Sequence, residues 1–319
     1  MNILITGVAG FIGFSLANSL LKKNYNIYGI DNYDIYYNPS IKKKRVSILK
    51  KKKNFFFFKT DIRKKNELKK ISKINFSFIF HFAAQPGVRY SLINPKKYFS
   101  TNVIGFQNLL DTIKTDSIKK IIYASSSSVY GDQKNFPVNE RASLNTKNPY
   151  GLSKIINEYT AEFYSRNSNI QFIGLRLFTV YGPWGRPDML IIKLLYALKK
   201  KFFFHLNNSG NHFRDFTFID DVVKICEKFL KLKLKKRSLI LNVCSGKPVS
   251  ILKLSKNISN KFNYKNNYIK NIKANKADVY KTFGDNKKIK KILNYRKFTR
   301  IEFGLNKTIQ WFFKNNLKL

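Results

Sequence analysis

Seven short apolar runs recur along this chain, separated by longer segments of helical period, and this alternation restricts the fold more than any other feature. The runs are "NILIT" (2–6), "NIYGID" (26–31), "FFFFKT" (55–60), "FIFHFAA" (78–84), "KIIYASS" (120–126), "QFIGLRLF" (171–178) and "LILNVCS" (239–245). Continuous apolar runs of this length suit strands covered by helices on both faces. Between them, "FIGFSLANSLLKK", "PKKYFSTNVIGFQNLLDTIK" and "PYGLSKIINEYTAEFYSR" carry apolar residues at helical spacing. Strands alternating with helices mean βαβ units and a parallel sheet. The expected class is α/β, a doubly wound parallel sheet with a smaller α+β C-terminal domain. After about residue 180 the alternation weakens. "VYGPWGRPD" (180–188) reads as a loop and "KFNYKNNYIKNIKANK" (261–276) as a long polar connection.

Composition removes several classes of protein. Two cysteines, Cys226 and Cys244, cannot build a disulfide framework, which fits a reducing compartment. The three histidines, His81, His205 and His212, form no pair at ligand spacing, so no metal site is expected. No run reaches the ~20 apolar residues of a membrane span. The opening stretch lacks the positive charge of a secretion signal and is interrupted by glycines, so a cytoplasmic chain is expected. The formal net charge of +43 admits a nucleic-acid-binding reading. Its lysines, however, are scattered in short runs ("IKKKR", "LKKKK", "ALKKK", "LKLKK") among abundant Asn, Ile and Phe. That is the mark of compositional drift, and no nucleic-acid partner is expected. A non-catalytic, basic nucleic-acid-binding or regulatory protein on the same fold is the alternative from a different class.

Motifs at the strand ends carry the chemistry. "ITGVAGFIG" puts Gly7, Gly10 and Gly13 between the first strand and an amphipathic helix. Glycines there permit a tight turn and close approach of a cofactor pyrophosphate to the helix N-terminus, as in a Rossmann sheet. Asp31, at the end of the second strand, can accept bonds from ribose hydroxyls and would repel a 2′-phosphate, which favours NAD over NADP. Asp61 and Ile62 follow the third strand and are candidates for the adenine. Ala83 and Ala84 are small enough for the nicotinamide half to lie close. "KIIYASSSS" brings hydroxyls to the same sheet edge. Tyr150 and Lys154 are four apart on an expected helix and share a face. A neighbouring ammonium and the positive nicotinamide ring favour a phenolate, so Tyr150 is the candidate general base, with Ser126 hydrogen-bonding the substrate oxygen. His81 lies in a buried strand and reads as a core residue.

The order TGxxGxxG, "AAQPGVRYS", "SSSSVYG", YxxxK and "TVYGPWGRPDM" resembles the extended short-chain dehydrogenase/reductase family, and within it the UDP-glucuronate 4-epimerases. The resemblance continues through "FRDFTFIDDVV" (213–223) to "WFF" near the end. It implies a catalytic triad of Ser126, Tyr150 and Lys154. NAD would be held tightly by Gly7, Gly10, Gly13 and Asp31, and Asn102 would support the active site on the cofactor side. It implies a sugar-nucleotide 4-epimerase working through a 4-keto sugar, from UDP-glucuronate to UDP-galacturonate. The alternative is a UDP-glucose or UDP-N-acetylglucosamine 4-epimerase. Ser127 and Ser128 stand where relatives that eliminate water or carbon dioxide carry acids, so neither reaction is expected. By the same resemblance Arg186 and Arg214 meet the diphosphate, and Ser127, Ser128 and Thr179 the sugar carboxylate. Asp278, in "ADVYKT", lies near the uridine, although alanine replaces the family glycine before it. Arg89 suits a diphosphate, a carboxylate or a structural ion pair. Trp184 reads as a packing residue of the substrate loop. The implied division is a NAD-binding Rossmann domain, 1–178 with 217–247 returning to it, and a substrate-binding domain, 179–216 with 248–319. A homodimer is expected from the resemblance alone.

Overall fold

The computed structural model describes residues 1–114, 116–262, 269–273 and 278–315. All seven apolar runs become strands of one sheet: β1 (Asn2–Thr6), β2 (Asn26–Asp31), β3 (Phe55–Lys59), β4 (Phe78–His81), β5 (Lys120–Ser126), β6 (Gln171–Leu177) and a last strand, Ser238–Val243. The spatial order is Ser238–Val243, β6, β5, β4, β1, β2, β3, and every neighbouring pair is parallel. Strands succeed one another outward in both directions from β1, so the connections diverge between β1 and β4. A crevice opens at that point beyond the carboxyl ends of the strands. Burial follows the pleat: Ile3 and Ile5 pack on one face of the sheet and Leu4 on the other, all with 0% exposure.

Register explains the position of the hydroxyl-rich segment. Thr6 pairs with Ile30 and His81, and His81 with Tyr123, so β1, β2 and β4 end almost level. β5 runs three residues further, with Ala124, Ser125 and Ser126 pairing only with β6. The serines therefore project past the crevice floor, and a 3₁₀ turn at Ser127–Val129 follows at once.

Several local expectations change. The fourth strand stops at His81 rather than Ala84, because residues 82–84 turn to line the crevice. The segment 95–114 is not one helix but a short α-turn (Pro95–Tyr98), a π-helical stretch (Phe99–Ile104) and an α-helix (Gly105–Thr112). The expected loop 180–188 opens on a short strand, Thr179–Tyr181, beside Phe213–Phe218, which Pro248–Ser250 joins on its other side. Much of the expected polar connection 261–276 lies outside the described residues. Ile269–Ile272 within it pairs with Phe204–Asn207.

The smaller lobe is fastened to the sheet by a buried carboxylate. Asp215, in the strand Phe213–Phe218, accepts from Ser245 N at 2.9 Å and Ser245 Oγ at 2.7 Å, and also from Gly246 N at 3.1 Å and Gly284 N at 3.3 Å. Asp215→Asn would turn amide donors toward backbone donors. The expected result is a loss of about 2 kcal/mol, the range for an orphaned buried group, seen as a lower urea midpoint at unchanged m value. A midpoint equal to wild type would show that this tie carries no stability.

Candidate active site at the carboxyl ends of the sheet

A cavity of about 360 Å³ runs across the crevice and is lined from both lobes. At one end stands the glycine turn. Gly7 takes φ +70°, and a Cβ there would fall 2.6 Å from Ala83 N. A Cβ on Gly13 would fall 2.3 Å from Gly7 O, so the helix Phe11–Leu21 can close onto the turn only without side chains. That helix begins at Gly10 with no side-chain cap, leaving its first amides for an anion. Asp31 lines the same end and accepts from Ala9 N (3.1 Å) and Tyr33 N (2.8 Å). Burial raises its carboxyl above the ordinary range, opposed by the Lys42 charge and these amides.

Asp61 and Ile62 part company. Ile62 lines the cavity, whereas Asp61 is absent from its wall and is bound by Arg63 (Nε–Oδ1 3.0 Å) and Asn32 (3.1 Å). The Arg63 guanidinium and the bond from Asn32 outweigh burial and hold its carboxyl down to about 2. Ala83 and Ala84 line the cavity. Asn102 lies behind the wall: its Oδ1 accepts from Gln85 N at 2.7 Å, and its Nδ2 donates to Ser153 Oγ at 2.9 Å. The π-helical stretch places Asn102 between the Gln85 loop and the helix Pro149–Arg166, so it braces both elements.

At the centre, Ser126, Ser127, Ser128, Tyr150 and Lys154 share the cavity. The helix Pro149–Arg166 starts where its sequence signals it: Asn148 caps Gly151 N at 2.9 Å, and Pro149 occupies the first turn. The Ser126 hydroxyl acts on the Tyr150 phenol and favours its ionised form, and Ser126 Oγ accepts from Ser128 N at 3.1 Å. Lys154 is 1% exposed and donates to Ala124 O at 2.8 Å, with its nitrogen 5.9 Å from the Tyr150 ring centroid. The expected electrostatics need correction. Burial raises the Tyr150 phenol, and the groups opposing it are Ser126 and the Arg186 charge rather than Lys154. Burial in turn lowers Lys154 to about 8. The amine is engaged with the backbone, and its proton is the more weakly held.

His81 behaves as a core residue, with Nδ1 2.9 Å from Thr6 Oγ1 and its ring stacked on Phe106. Burial and the Lys154 charge bring it down to about 3. Trp184 packs edge-on against Phe14 and tilted against Trp311.

The substrate candidates fall into two groups. Thr179 and Arg186 line the central cavity, and Arg186 is paired with Asp188 (Nε–Oδ1 3.0 Å). Arg89, Arg214 and Asp278 lie off this cavity. Arg89 pairs with Asp278 at 2.6 Å, which realises the ion-pair option, and Arg214 donates to Phe213 O and Tyr280 O. The Asp278 and Arg89 charges both act on Arg214, so the three form one cluster bridging the lobes. Among the described residues no group of three or more His, Cys, Asp or Glu could hold a metal ion.

The helix Pro39–Lys50 is not among the helices expected from the sequence, where its lysines read as compositional drift. Lys42 lines the cavity and donates to Asp34 O at 2.5 Å. Arg45 is 0% exposed and donates to Ala9 O (2.9 Å), Tyr37 OH (3.2 Å) and Trp184 O (2.5 Å). The available signals were the Asn38–Pro39 start and the spacing of Ile41, Arg45, Val46 and Leu49. Tyr36, Tyr37 and Gln85 also line the cavity without having been singled out.

A glycine-cradled anion seat beside a Ser–Tyr–Lys group at a sheet switch point defines a Rossmann-type oxidoreductase-like site. The chain belongs to the NAD dependent epimerase/dehydratase family, whose model matches residues 3–244. It is 36% identical over 319 residues to UDP-glucuronate 4-epimerase of Thermodesulfobacterium geofontis, covering 99% of this chain and 97% of that one. It is 35% identical to UDP-glucuronate 4-epimerase 4 of Arabidopsis thaliana, covering 98% and 75%. The crystal structure of UDP-glucuronic acid 4-epimerase from Bacillus cereus, in complex with UDP-glucuronic acid and NAD, superposes with a TM-score of 0.91. It has 30% identity and coverage of 98% and 99%. The glycine cradle, the open helix start and Asp31 fit the dinucleotide that the family description names.

Proposed function

We propose that the chain is a UDP-glucuronate 4-epimerase that interconverts UDP-glucuronate and UDP-galacturonate. The observation that carries the reading is the row Ser126–Ser127–Ser128, with Thr179 and Arg186, on the same cavity wall as Tyr150. A hydroxyl row suits a carboxylated sugar better than a neutral one, and the Arg186 guanidinium suits the oxygens of a diphosphate. Gly7, Gly10, Gly13, Asp31, Ile62, Ala83 and Ala84 would hold NAD, which supplies a reversible hydride acceptor beside Tyr150. Tyr150 takes the proton of the sugar 4-hydroxyl and later returns it, with Ser126 hydrogen-bonding the same oxygen. Lys154 holds positive charge below the phenol and fixes the helix to β5. Arg214, with the Arg89–Asp278 pair beside it, would meet the nucleotide part of the substrate.

Glucuronate adds a hazard: a sugar oxidised at carbon 4 with a carboxylate at carbon 5 is a β-keto acid. Loss of carbon dioxide requires the breaking bond to align with the ketone. Ser127, Ser128 and Thr179 hold the carboxylate away from that alignment. Ser128→Ala is therefore expected to release UDP-pentose beside UDP-galacturonate, at a few per cent of turnovers or more, resolved by chromatography. A pentose-free product mixture would remove the restraining role.

The expected domain division remains part of this proposal, since the strand Ser238–Val243 returns to the sheet while 248–250 joins the smaller lobe. A homodimer is supported by Ile93, Tyr159 and Phe163, exposed at 79%, 65% and 64% on two adjoining helices. No described helix is long and apolar enough to cross a membrane. A cytoplasmic location is supported by two buried free cysteines.

The function is tested by incubating the purified chain with UDP-glucuronate without added reductant. UDP-galacturonate at a constant ratio, with no pentose, is the expected result. Turnover of UDP-glucose alone would keep Tyr150 in its role and overturn the assignment of the carboxylate wall.

A further inference from the structure

Tyr150, Lys154 and Glu158 recur every fourth residue on the helix Pro149–Arg166 and so form one stripe along it. Each meets one of the three residues by which β5 outruns β4. Ser126 acts on the Tyr150 phenol and favours its ionised form, Lys154 Nζ donates to Ala124 O at 2.8 Å, and Ser125 Oγ donates to Glu158 Oε1 at 2.5 Å. Ala124, Ser125, Ser126, Tyr150 and Lys154 all line the cavity, and Glu158 alone lies behind it. Glu158 is 7% exposed and is held from β6 by Arg176, Nε to Oε1 at 2.9 Å and Nη2 to Oε2 at 2.7 Å. Arg176 is itself anchored, donating to Tyr130 OH (2.9 Å) and Glu140 O (3.1 Å), while Tyr130 OH donates to Asn242 Oδ1 (2.6 Å). The chain of contacts thus runs from the edge strand Ser238–Val243 to the residue preceding Ser126.

We propose that Glu158 is a positioning residue of the reaction, the Ser125–Glu158–Arg176 contact fixing the helix against β5 and thereby Tyr150 against Ser126. The inference rests on the epimerase reading of the same site. A buried acid kept beside a buried arginine is a costly arrangement, since a well-packed apolar pair of equal volume is often as stable. Here the pair does what an apolar pair cannot: it grips a serine hydroxyl adjacent to the reacting centre. It also acts on Lys154. The groups around that amine are Tyr150 and Glu158 on its own helix and His81 on β4. Arg176 lies behind Glu158, and Arg186 approaches Tyr150 from the substrate loop. Burial lowers Lys154 to about 8, and Glu158 is the group that opposes it. His81, at about 3, is neutral through the working range.

Two variants separate positioning from bulk stability. Ser125→Ala leaves the ion pair intact and removes only the grip on β5. Its kcat is expected to fall about tenfold, less than the roughly hundredfold or more lost with a group that itself transfers the proton, with KM nearly unchanged. Glu158→Gln should fall further. By removing the charge that favours the ammonium, it should also shift the alkaline limb of the kcat profile to lower pH, while Ser125→Ala leaves that limb in place. Both should speed amide hydrogen exchange in peptides covering 120–128 and 149–158. Ser125→Ala with wild-type kcat and wild-type exchange overturns the proposal, even if Glu158→Gln fails to fold. A folded Glu158→Gln with an unmoved alkaline limb overturns its electrostatic part. Assays use UDP-glucuronate and UDP-glucose in parallel. A wild type active only on UDP-glucose overturns the substrate assignment and leaves the Glu158 result readable on that sugar. A wild type active on neither overturns the functional reading, and the exchange data alone then decide whether the contact sets the register.

Discussion

Tyr150→Phe is expected to lower kcat for UDP-glucuronate epimerisation about a thousandfold, the scale of a lost general acid–base group, while KM and bound NAD change little. The phenyl ring keeps the packing that Tyr150 makes against Tyr98 at 6.1 Å between centroids, so the loss reports the hydroxyl. Ser126 alone cannot substitute, because a serine hydroxyl is far too weak an acid to carry the proton as an anion near neutral pH. The residual rate should lose the pH dependence that Tyr150 and Lys154 impose. A Tyr150→Phe enzyme within tenfold of wild type would mean that another group takes the 4-hydroxyl proton.

The second large effect is expected at Gly13. Gly13→Val would place a branched side chain where even one Cβ lies 2.3 Å from Gly7 O, a backbone atom that cannot rotate away. The helix Phe11–Leu21 would have to retreat from the turn, taking its open amide end out of reach of a pyrophosphate. The expected outcome is protein purified without NAD and a stability loss of about 3 kcal/mol, the scale of overpacking at a rigid site. Absorbance of the released nucleotide and a urea titration measure the two parts. Retention of full NAD content would show that the pyrophosphate does not depend on this helix end.

Much of this was legible from the sequence because it depends on local rules. Runs apolar on both faces, glycines at a strand-to-helix turn and an Asn–Pro helix start each have a local physical cause, and all seven central strands formed where those runs lie. What stayed hidden depends on contacts between distant segments. That Asp61 turns to Arg63 while Ile62 faces the cavity is a matter of side-chain direction at one turn. That Arg89 meets Asp278, 189 positions away, follows from how the smaller lobe folds back. The helix Pro39–Lys50 was obscured because its functional cations sit among so many decorative ones. Helical spacing puts Arg45 on the face of Ile41 and Leu49, but its partners, the turn at Ala9 and the loop at Trp184, come from distant segments.

That arginine limits how the crevice can move. One guanidinium grips the carbonyl of Ala9 on the glycine turn and those of Trp184 and Gly185 on the loop that carries Arg186. A hinge acting there would strand several buried donors at once, so the gap between the two rims has a nearly constant width. A sugar that must present both of its faces to the same cofactor therefore has to pirouette inside a slot of set height, swinging about its diphosphate tether.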